Sequence, residues 1–528
     1  MLGSGGRALS ASRHPSNQSG AEPSGMNSAR LVPGERSPWM LLGLSFLLCF
    51  MLRVPYYQHA LTFVDEAVYG TTAFVLQEGG ILYRDIWCNH QPLPMILSCL
   101  TFRAFGVSSF VLHLESFLLA WLACLAVYLV GSRCFSRRIG GLAALTYAIA
   151  STSFYTPRII GMTAEQVMVV LETASVLFFL RGLHTRDRGT AILAGIFAAA
   201  AFFAKPAAAS LLPLLVAFPL LHSRGQGLSQ SLNVGAGYAA GAAMILAYVA
   251  AQGALNAWWD QSIVFRIHYV QNVGLLSFLK QLLRQPFSFG LIYLWAWVLI
   301  VFGRKGGLQN RTVFSFLGAW LGVAFAGVMI GRRFYANYYI QMFPPLSLMV
   351  AVGLDYLLQH KSERREARVL KSALIIFLVP FLWFHSRTAA HWYYLFDARS
   401  HQNVQLWEMC VIDRNLQGIS DYIRETSRPN DRMFVWGINP EYYFLTRLMP
   451  ATRYPWFAVR SSDEPPSTLR EEIETEMALR ENPPAVLIDV VKEGRMADTV
   501  RWKAVLAELY ILDREISGVR IYRRSQSR

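Results

Sequence analysis

The sequence predicts an all-α polytopic membrane domain of about eleven transmembrane helices, followed by a C-terminal soluble α/β domain. Of the 528 residues, 54% are hydrophobic and only 16% are charged, whereas about a quarter of the residues of a soluble domain are charged. Long apolar runs recur as far as residue 387. A more charged segment follows, in which strand-like and helix-like patterns alternate.

Eleven apolar segments are candidates for membrane spans, because a spanning helix needs about 20 mostly apolar residues. They cover residues 38–54, 108–131, 139–156, 165–181, 190–204, 206–222, 231–252, 287–302, 312–330, 338–358 and 370–386. Lys205-Pro206 divides the apolar stretch 190–222 into two spans, since proline ends or kinks a helix and a lysine at mid-bilayer is costly. The shorter stretch 92–105 contains Arg103 and is predicted to be interfacial or re-entrant.

Basic residues are distributed unequally between the two sets of connections. The set assigned to the inside carries Arg133, Arg137, Arg138, Arg181, Arg186, Arg188, Arg224, Arg304, Lys305, Arg311, Lys361, Arg364, Arg365, Arg368 and Lys371. The short connections on the other side carry far fewer basic residues. This asymmetry predicts a multi-pass protein of the plasma (inner) membrane, with a cytoplasmic N-terminus and an extracytoplasmic C-terminal domain. The net charge of +15 is therefore attributed to topology, and nucleic acid is not expected as a partner.

Three regions are predicted along the chain. Residues 1–37, rich in Ser, Gly and Arg, are expected to form a disordered cytoplasmic tail. Residues 38–387 form the membrane domain, whose long first outer loop, 55–107, includes a surface helix over 65–78. Residues 388–528 form the α/β domain, with strands expected at 433–436, 485–491 and 519–522 and helices at 415–427, 467–480 and 498–508.

Acidic residues mark the predicted outer face. Asp65 and Glu66 follow the first span by about ten residues, and Glu165 opens the fourth span. A carboxylate pair at a membrane surface can take a proton from an acceptor hydroxyl or hold a cation. Alternatively, Asp65 caps a helix, Glu66 is a second acid favoured by the helix dipole, and Glu165 reaches the interface. The pattern leaves both interpretations open.

Basic residues accompany these acids on the same side. Lys205 ends one span and Arg332-Arg333 stands between two others, where the forked donors of a guanidinium suit phosphate oxygens. His90 lies where the first loop returns to the membrane, although a lone histidine is more often a hydrogen-bonded surface residue than a catalyst. The sequence shows no metal-ligand spacing, so no metal site is predicted, and a need for a divalent metal is left open.

The first outer loop resembles that of a known family. Residues 64–94 read VDEAVYGTTAFVLQEGGILYRDIWCNHQPLP. This run is similar to the first loop of the protein mannosyltransferase and aminoarabinose transferase group, part of the GT-C class of polyprenyl-phosphate-sugar glycosyltransferases. The shared features are an acid soon after the first span (Asp65), a Gly-x-x-Tyr-Arg-Asp stretch (80–85) and a His/Lys-Pro-Pro-Leu segment (90–93).

Later segments add to the resemblance and also depart from it. Arg332-Arg333-Phe334, followed by Tyr338-Tyr339 and a Pro-Pro pair, is similar to the family's Arg-x-Phe-x-His-Tyr segment. Glu165 stands where the family commonly has Asp, Asn337 where it has His, and Gln91 where Lys is common.

The resemblance implies a membrane glycosyltransferase that moves a sugar from a polyprenyl-phosphate donor to a glycan, lipid or protein acceptor at the outer face, with inversion. Asp65 would be the base, with Glu66 and Glu165 as further catalytic candidates. Lys205, Arg332 and Arg333 would bind the donor phosphate. Substrate contacts would come from Tyr83, Arg84, Asp85, His90 and Tyr338. No cofactor is expected beyond the donor itself and membrane lipid. A polytopic transporter or lipid flippase is the alternative, and it predicts ionisable residues at the bilayer midplane.

Overall fold

The fold is described from a computed structural model of the chain. The structure describes residues 38–54, 57, 61, 64–152, 160–222, 225–396, 416–455, 469–490, 496 and 500–525. The predicted tail 1–37 lies outside the described residues, as do parts of the loop 55–107 and of the region 388–528.

Helices make up most of the described chain. Their bounds are α1 Pro38–Arg53, α2 Val64–Gln77, α3 Pro92–Phe105, α4 Ser109–Cys134, α5 Arg137–Ala150, α6 Ala164–Thr185, α7 Arg188–Ala204, α8 Leu211–His222, α9 Gly227–Ala251, α10 Leu255–Trp258, α11 Phe265–Gln271, α12 Leu275–Ile292, α13 Leu294–Gly306, α14 Arg311–Ile330, α15 Phe343–Gln359, α16 Arg364–Phe396, α17 Leu416–Thr426, α18 Glu441–Thr446, α19 Leu469–Glu481 and α20 Val500–Leu509. Three 3₁₀ helices, Pro206–Ser210, Gly307–Asn310 and Ala336–Met342, and one π-helix, Trp259–Val264, connect some of them.

Within the described residues every predicted span overlaps a helix, but the count of eleven spans is not confirmed. Five helices in the described chain are long and apolar enough to cross a membrane: Ser109–Cys134, Ala164–Thr185, Gly227–Ala251, Arg311–Ile330 and Ala336–Gln359. The pair α12 and α13 gives a sixth if it is one span, although it bends by 74°. Four further apolar helices are shorter, among them α1 and α7. The prediction of a helical membrane region is thus confirmed at this coarser level.

Local sequence explains where several helices begin and end. Ser108, Ser136 and Thr163 each accept a hydrogen bond from the backbone N–H three residues later, at the starts of α4, α5 and α6. Helix α7 ends at Ala204, directly before Lys205-Pro206, as predicted. Helix α2 begins at Val64, so Asp65 lies in its first turn and is not its cap.

The C-terminal region contains the predicted α/β structure. Five strands, β1 Arg432–Trp436, β2 Met449–Pro450, β3 Val486–Asp489, β4 Tyr510–Ile516 and β5 Val519–Arg524, form one sheet in the order β2-β1-β3-β5-β4. β1 pairs in parallel with β2 and β3, and β5 pairs antiparallel with β3 and β4. Strand β4 was not predicted from the sequence, because this edge strand exposes five consecutive residues and lacks alternating hydrophobicity.

The C-terminal region packs on the first outer loop. The Thr71 hydroxyl on α2 donates a 2.7 Å hydrogen bond to the carbonyl of Pro440, next to α18. The ring of Phe444 on α18 stacks on that of Phe102 on α3, with 5.9 Å between the centroids. The backbone N–H of Trp87 donates to the carbonyl of Arg453 at 2.7 Å. These contacts fix the first loop and the C-terminal region on the same side of the molecule.

Candidate active site

A mostly apolar cavity of about 100 Å³ lies where the ends of several helices meet. Its walls come from the loop before α3, the start of α6, the end of α7, helix α11, the end of α14 and the 3₁₀ helix Ala336–Met342. The charged residues among its described lining are Glu165, Lys205 and Arg266. His90 and Tyr338 also line it. Four residues selected from sequence, namely His90, Glu165, Lys205 and Tyr338, are therefore brought together here.

Glu165 and Lys205 form a buried ion pair on the cavity wall. Glu165 is fully buried, and its Oε1 accepts hydrogen bonds from Lys205 Nζ and, at 2.7 Å, from Asn337 Nδ2. Lys205 Nζ also lies 4.2 Å from the centroid of the Tyr338 ring. Removing two charges from water is costly unless further hydrogen bonds compensate. Asn337, which stands where the family has a histidine, supplies one of them.

Arg266 is a functional candidate that the sequence analysis missed. Its Nε donates to the carbonyl of Asn89 at 2.9 Å, and another guanidinium nitrogen lies 3.1 Å from His90 Nδ1. A guanidinium only donates hydrogen bonds, so His90 Nδ1 is the acceptor. The available signal was the pair of charged residues Asp260 and Arg266 in the connection between the predicted spans 231–252 and 287–302.

His90 is held in its neutral form. Burial lowers its pKa well below the usual range, and the positive charges of Arg266 and Lys205 lower it further. Its carbonyl accepts hydrogen bonds from the Tyr83 hydroxyl at 2.8 Å and the Ser262 hydroxyl at 2.9 Å. Because a neutral imidazole faces the cavity, the positive charge there belongs to Lys205 and Arg266.

The two acids of α2 occupy different environments. Asp65 is half-buried and lies outside the cavity lining, but its carboxylate and that of Glu165 favour the protonated form of Lys205, against the burial that lowers the Lys205 pKa. Glu66 is completely buried and points into the protein. Its Oε1 accepts from the backbone N–H of Met162 at 3.2 Å and lies 3.5 Å from His113 Nε2. The packing thus gives Glu66 a structural environment away from the cavity.

The residues of the Gly-x-x-Tyr-Arg-Asp stretch also lie outside the cavity lining. Tyr83 is buried with φ of 69°, and its carbonyl accepts from Gln261 Nε2 at 2.7 Å. Since its hydroxyl holds the His90 carbonyl, Tyr83 positions His90. Arg84 and Asp85 form a surface ion pair at 2.9 Å, and the Arg84 side chain lowers the pKa of Asp85.

Arg332 and Arg333 flank the cavity without lining it. Arg332 is exposed, and its guanidinium lies 5.9 Å from the centroid of the Phe278 ring. The Arg333 guanidinium lies 4.0 Å from the centroid of the Tyr269 ring, and Tyr269 is part of the cavity wall. The second cation that lines the cavity is therefore Arg266. From the sequence, Arg332 and Arg333 were predicted to bind the donor phosphate together with Lys205.

The arrangement of the His, Cys, Asp and Glu side chains bears on metal binding. Within the described chain, no three His, Cys, Asp or Glu side chains lie close enough together to hold a metal ion. The described lining of the cavity contains one carboxylate, Glu165, two cations, Lys205 and Arg266, and the neutral amides of Gln91 and Gln341.

Comparisons with known proteins agree with this fold. Residues 89–253 match the model of the dolichyl-phosphate-mannose-protein mannosyltransferase family, which confirms the resemblance inferred from the first loop. No curated protein matches this chain significantly. Because the family match covers less than half of the sequence, the evidence for the whole fold comes from solved structures.

Three solved structures illustrate the likeness. ArnT from Cupriavidus metallidurans, bound to undecaprenyl phosphate, superposes with a TM-score of 0.58 at 13% identity over 93% of this chain and 98% of its own. The Archaeoglobus fulgidus oligosaccharyltransferase complex with zinc and sulfate gives 0.56 at 15% identity, over 88% and 69%. The oligosaccharyltransferase AglB from the same organism, with an inhibitory peptide and a dolichol-phosphate, gives 0.52 at 14%, over 93% and 74%. The chain is a multi-pass membrane protein with a GT-C-like fold.

Proposed function

We propose that this protein is a membrane glycosyltransferase that moves a sugar from a polyprenyl-phosphate donor to an acceptor at the outer face of the membrane. The observation that carries the proposal is the cavity holding Glu165, Lys205 and Arg266 within a GT-C-like fold. Structures of this fold have been determined with undecaprenyl phosphate and with a dolichol-phosphate. A pair of half-buried cations beside an apolar wall suits the phosphate of such a lipid.

The proposed reaction is a single displacement. The oxygen of an acceptor hydroxyl attacks the anomeric carbon of the donor sugar, and the bond from that carbon to the phosphate oxygen breaks. The phosphate leaves with the bonding electrons, and its charge is stabilised by Lys205 and Arg266. The hydroxyl proton passes to the carboxylate of Asp65, which acts as general base. Attack opposite the leaving phosphate inverts the anomeric centre.

Glu165 supports this step through Lys205. Its Oε1 holds the lysine ammonium at the cavity, so the cation is already positioned when the phosphate arrives. Glu66, buried against Met162 and His113, is not used in the proposed step. The acceptor is a glycan, lipid or protein hydroxyl that reaches Asp65 from the outer face.

A donor panel tests the proposal. Full-length protein in detergent is incubated with radiolabelled polyprenyl-phosphate sugars, and we expect release of the polyprenyl phosphate from at least one donor in the presence of membrane acceptors. A Lys205→Met variant serves as the inactive control. If no donor is turned over, while vesicles containing the protein move a labelled polyprenyl phosphate between leaflets, the chain is a transporter instead.

The proposed topology has its own test. The unequal distribution of basic residues places the N-terminus in the cytoplasm and the C-terminal sheet outside. The contacts of α2 with Pro440 and of α3 with Phe444 support placing the first loop and the sheet on one side. We expect an alkaline phosphatase fusion at the C-terminus to be active and a green fluorescent protein fusion there to be dark. The reverse pattern would contradict the outer-face assignment of Asp65 and Lys205.

A further inference from the structure

Two glutamine side chains on the cavity wall each have one amide atom without a hydrogen-bond partner in the described chain. Gln91 is 1% exposed and its Nε2 makes no hydrogen bond. Gln341 is fully buried and its Oε1 makes none. Both residues line the cavity that contains Glu165, Lys205 and Arg266. A buried polar group without a hydrogen-bond partner costs free energy, so we expect each of these atoms to form a hydrogen bond with a bound molecule.

The chemistry of the neighbours fixes the orientation of both amides. Trp258 Nε1, which can only donate, lies 3.2 Å from Gln91 Oε1. The oxygen of Gln91 therefore already accepts a hydrogen bond, and its NH₂ group is the donor without a partner. Gln341 Nε2 donates to the carbonyl of Tyr338 at 3.2 Å. Its oxygen is thus the free acceptor. The cavity offers one unused neutral donor and one unused neutral acceptor.

The space beside Gln341 depends on a glycine. A Cβ atom added at Gly327 on α14 would lie 2.5 Å from Gln341 Oε1 and 2.9 Å from its Nε2. Glycine therefore allows the Gln341 amide to occupy this position. An alanine at residue 327 would force the amide to move without removing it.

The charged side chains of the cavity limit the charge that a bound donor can carry. Lys205 is paired with Glu165, and His90 is neutral because burial and two neighbouring cations lower its pKa. One carboxylate and two cations give the described lining a net single positive charge, which the single negative charge of a phosphodiester balances. With a phosphodiester bound, Glu165, Lys205 and Arg266 leave no net charge in the described lining for a charged group on the sugar to balance.

We infer that Gln91 and Gln341 bind hydroxyl groups of the donor sugar, and that this sugar is an uncharged, polyhydroxylated hexose or pentose. A sugar hydroxyl both accepts and donates a hydrogen bond, so it satisfies the Gln91 NH₂ group and the Gln341 oxygen alike. The inference rests on the proposed function and names the class of substrate that the site takes. Sites that hydrogen-bond a substrate hydroxyl reject analogues that lack it.

Binding of four lipids to the full-length protein in detergent tests this inference. The lipids are undecaprenyl methyl phosphate, which has the donor's charge but no sugar, and the undecaprenyl-phosphate esters of glucose, of an amino sugar and of a uronic acid. For the wild type we expect the glucose lipid to bind about tenfold or more tighter than the methyl ester, since one buried hydrogen bond contributes a factor of roughly two to ten. The amino sugar and the uronic acid should bind more weakly than glucose.

Three variants test whether Gln91 and Gln341 are responsible for the preference for the glucose lipid. Gln91→Leu, Gln341→Leu and Gly327→Ala are each expected to reduce the preference for the glucose lipid over the methyl ester by about three- to tenfold. Binding of the methyl ester should stay unchanged. Gly327→Ala keeps both glutamines, so it reports on the amide position even if a leucine variant folds poorly. The matched control is Gln226→Leu, the same change at an exposed glutamine outside the cavity.

The contrary outcomes are distinct. The glutamines do not bind the sugar if the glucose lipid and the methyl ester bind the wild type equally. The same conclusion follows if the variants weaken the binding of both lipids by the same factor. Tighter binding of the amino sugar would mean that Glu165 Oε2, which also lacks a partner in the described chain, holds an ammonium. Failure of every undecaprenyl lipid to bind the wild type would overturn the proposed function, and this inference with it.

Discussion

Replacing Asp65 by asparagine is expected to lower the turnover of a polyprenyl-phosphate sugar by about 10²–10⁴, the usual cost of losing a general base. Asparagine keeps the size of the side chain but cannot take the acceptor's proton. Donor binding should change little, because the proposed phosphate contacts are Lys205 and Arg266. If Asp65 only stabilises the first turn of α2 through the helix dipole, its loss would cost about 0.3–1 kcal/mol of stability and leave turnover within a few-fold.

The matched control is Asp85→Asn in the same loop. Asp85 is paired with Arg84 at the surface, and exposed ion pairs contribute at most about 1 kcal/mol. We expect near wild-type turnover for this variant. Initial rates and donor affinity are measured on Asp65→Asn and Asp85→Asn. They distinguish a carboxylate that acts as general base from one that only stabilises the fold. Wild-type turnover in Asp65→Asn would refute the assignment of the base and leave Glu165 as the next candidate.

Replacing Arg266 by glutamine is expected to reduce kcat/KM for the donor by about 10² or more, the scale seen when one preorganised donor to a developing anion is removed. Weaker donor binding should accompany the slower reaction, since in the proposed reaction the guanidinium contacts the phosphate before and during the displacement. The variant also loses the hydrogen bonds to Asn89 and His90. Arg266→Lys should recover part of the rate, because it keeps the charge but loses the forked donors.

Arg332→Ala provides the contrast, since Arg332 is exposed and faces the Phe278 ring. Arg332 was predicted from the sequence to contact the phosphate, but Arg266 and not Arg332 lines the cavity. We expect Arg332→Ala to retain activity within a few-fold, with thermal unfolding midpoints confirming that both variants are folded. An equal or greater loss in Arg332→Ala would return the phosphate site to the connection between α14 and the following 3₁₀ helix.

Much of the local structure could be predicted from the sequence alone. Apolar runs marked the helices of the membrane region, and Lys205-Pro206 marked the end of α7, because proline removes a backbone donor and breaks the helix. Three strands and three helices of the C-terminal region were predicted correctly within a few residues. Four residues that line the cavity were also selected from the sequence, namely His90, Glu165, Lys205 and Tyr338. A charged or polar group next to a span is costly, and such a group is therefore conspicuous in the sequence.

Tertiary structure alone decided which of these candidates meet. Arg266 and His90 are 176 residues apart, and Asn337 and Glu165 are 172 apart, so no local pattern connects them. Asp65 and Glu66 are neighbours in sequence, yet successive residues of a helix point about 100° apart. One acid therefore packs against Met162 while the other stays half-buried near Lys205. The sequence determined the helices and the polar residues at their ends, and long-range packing determined which of those residues share the cavity.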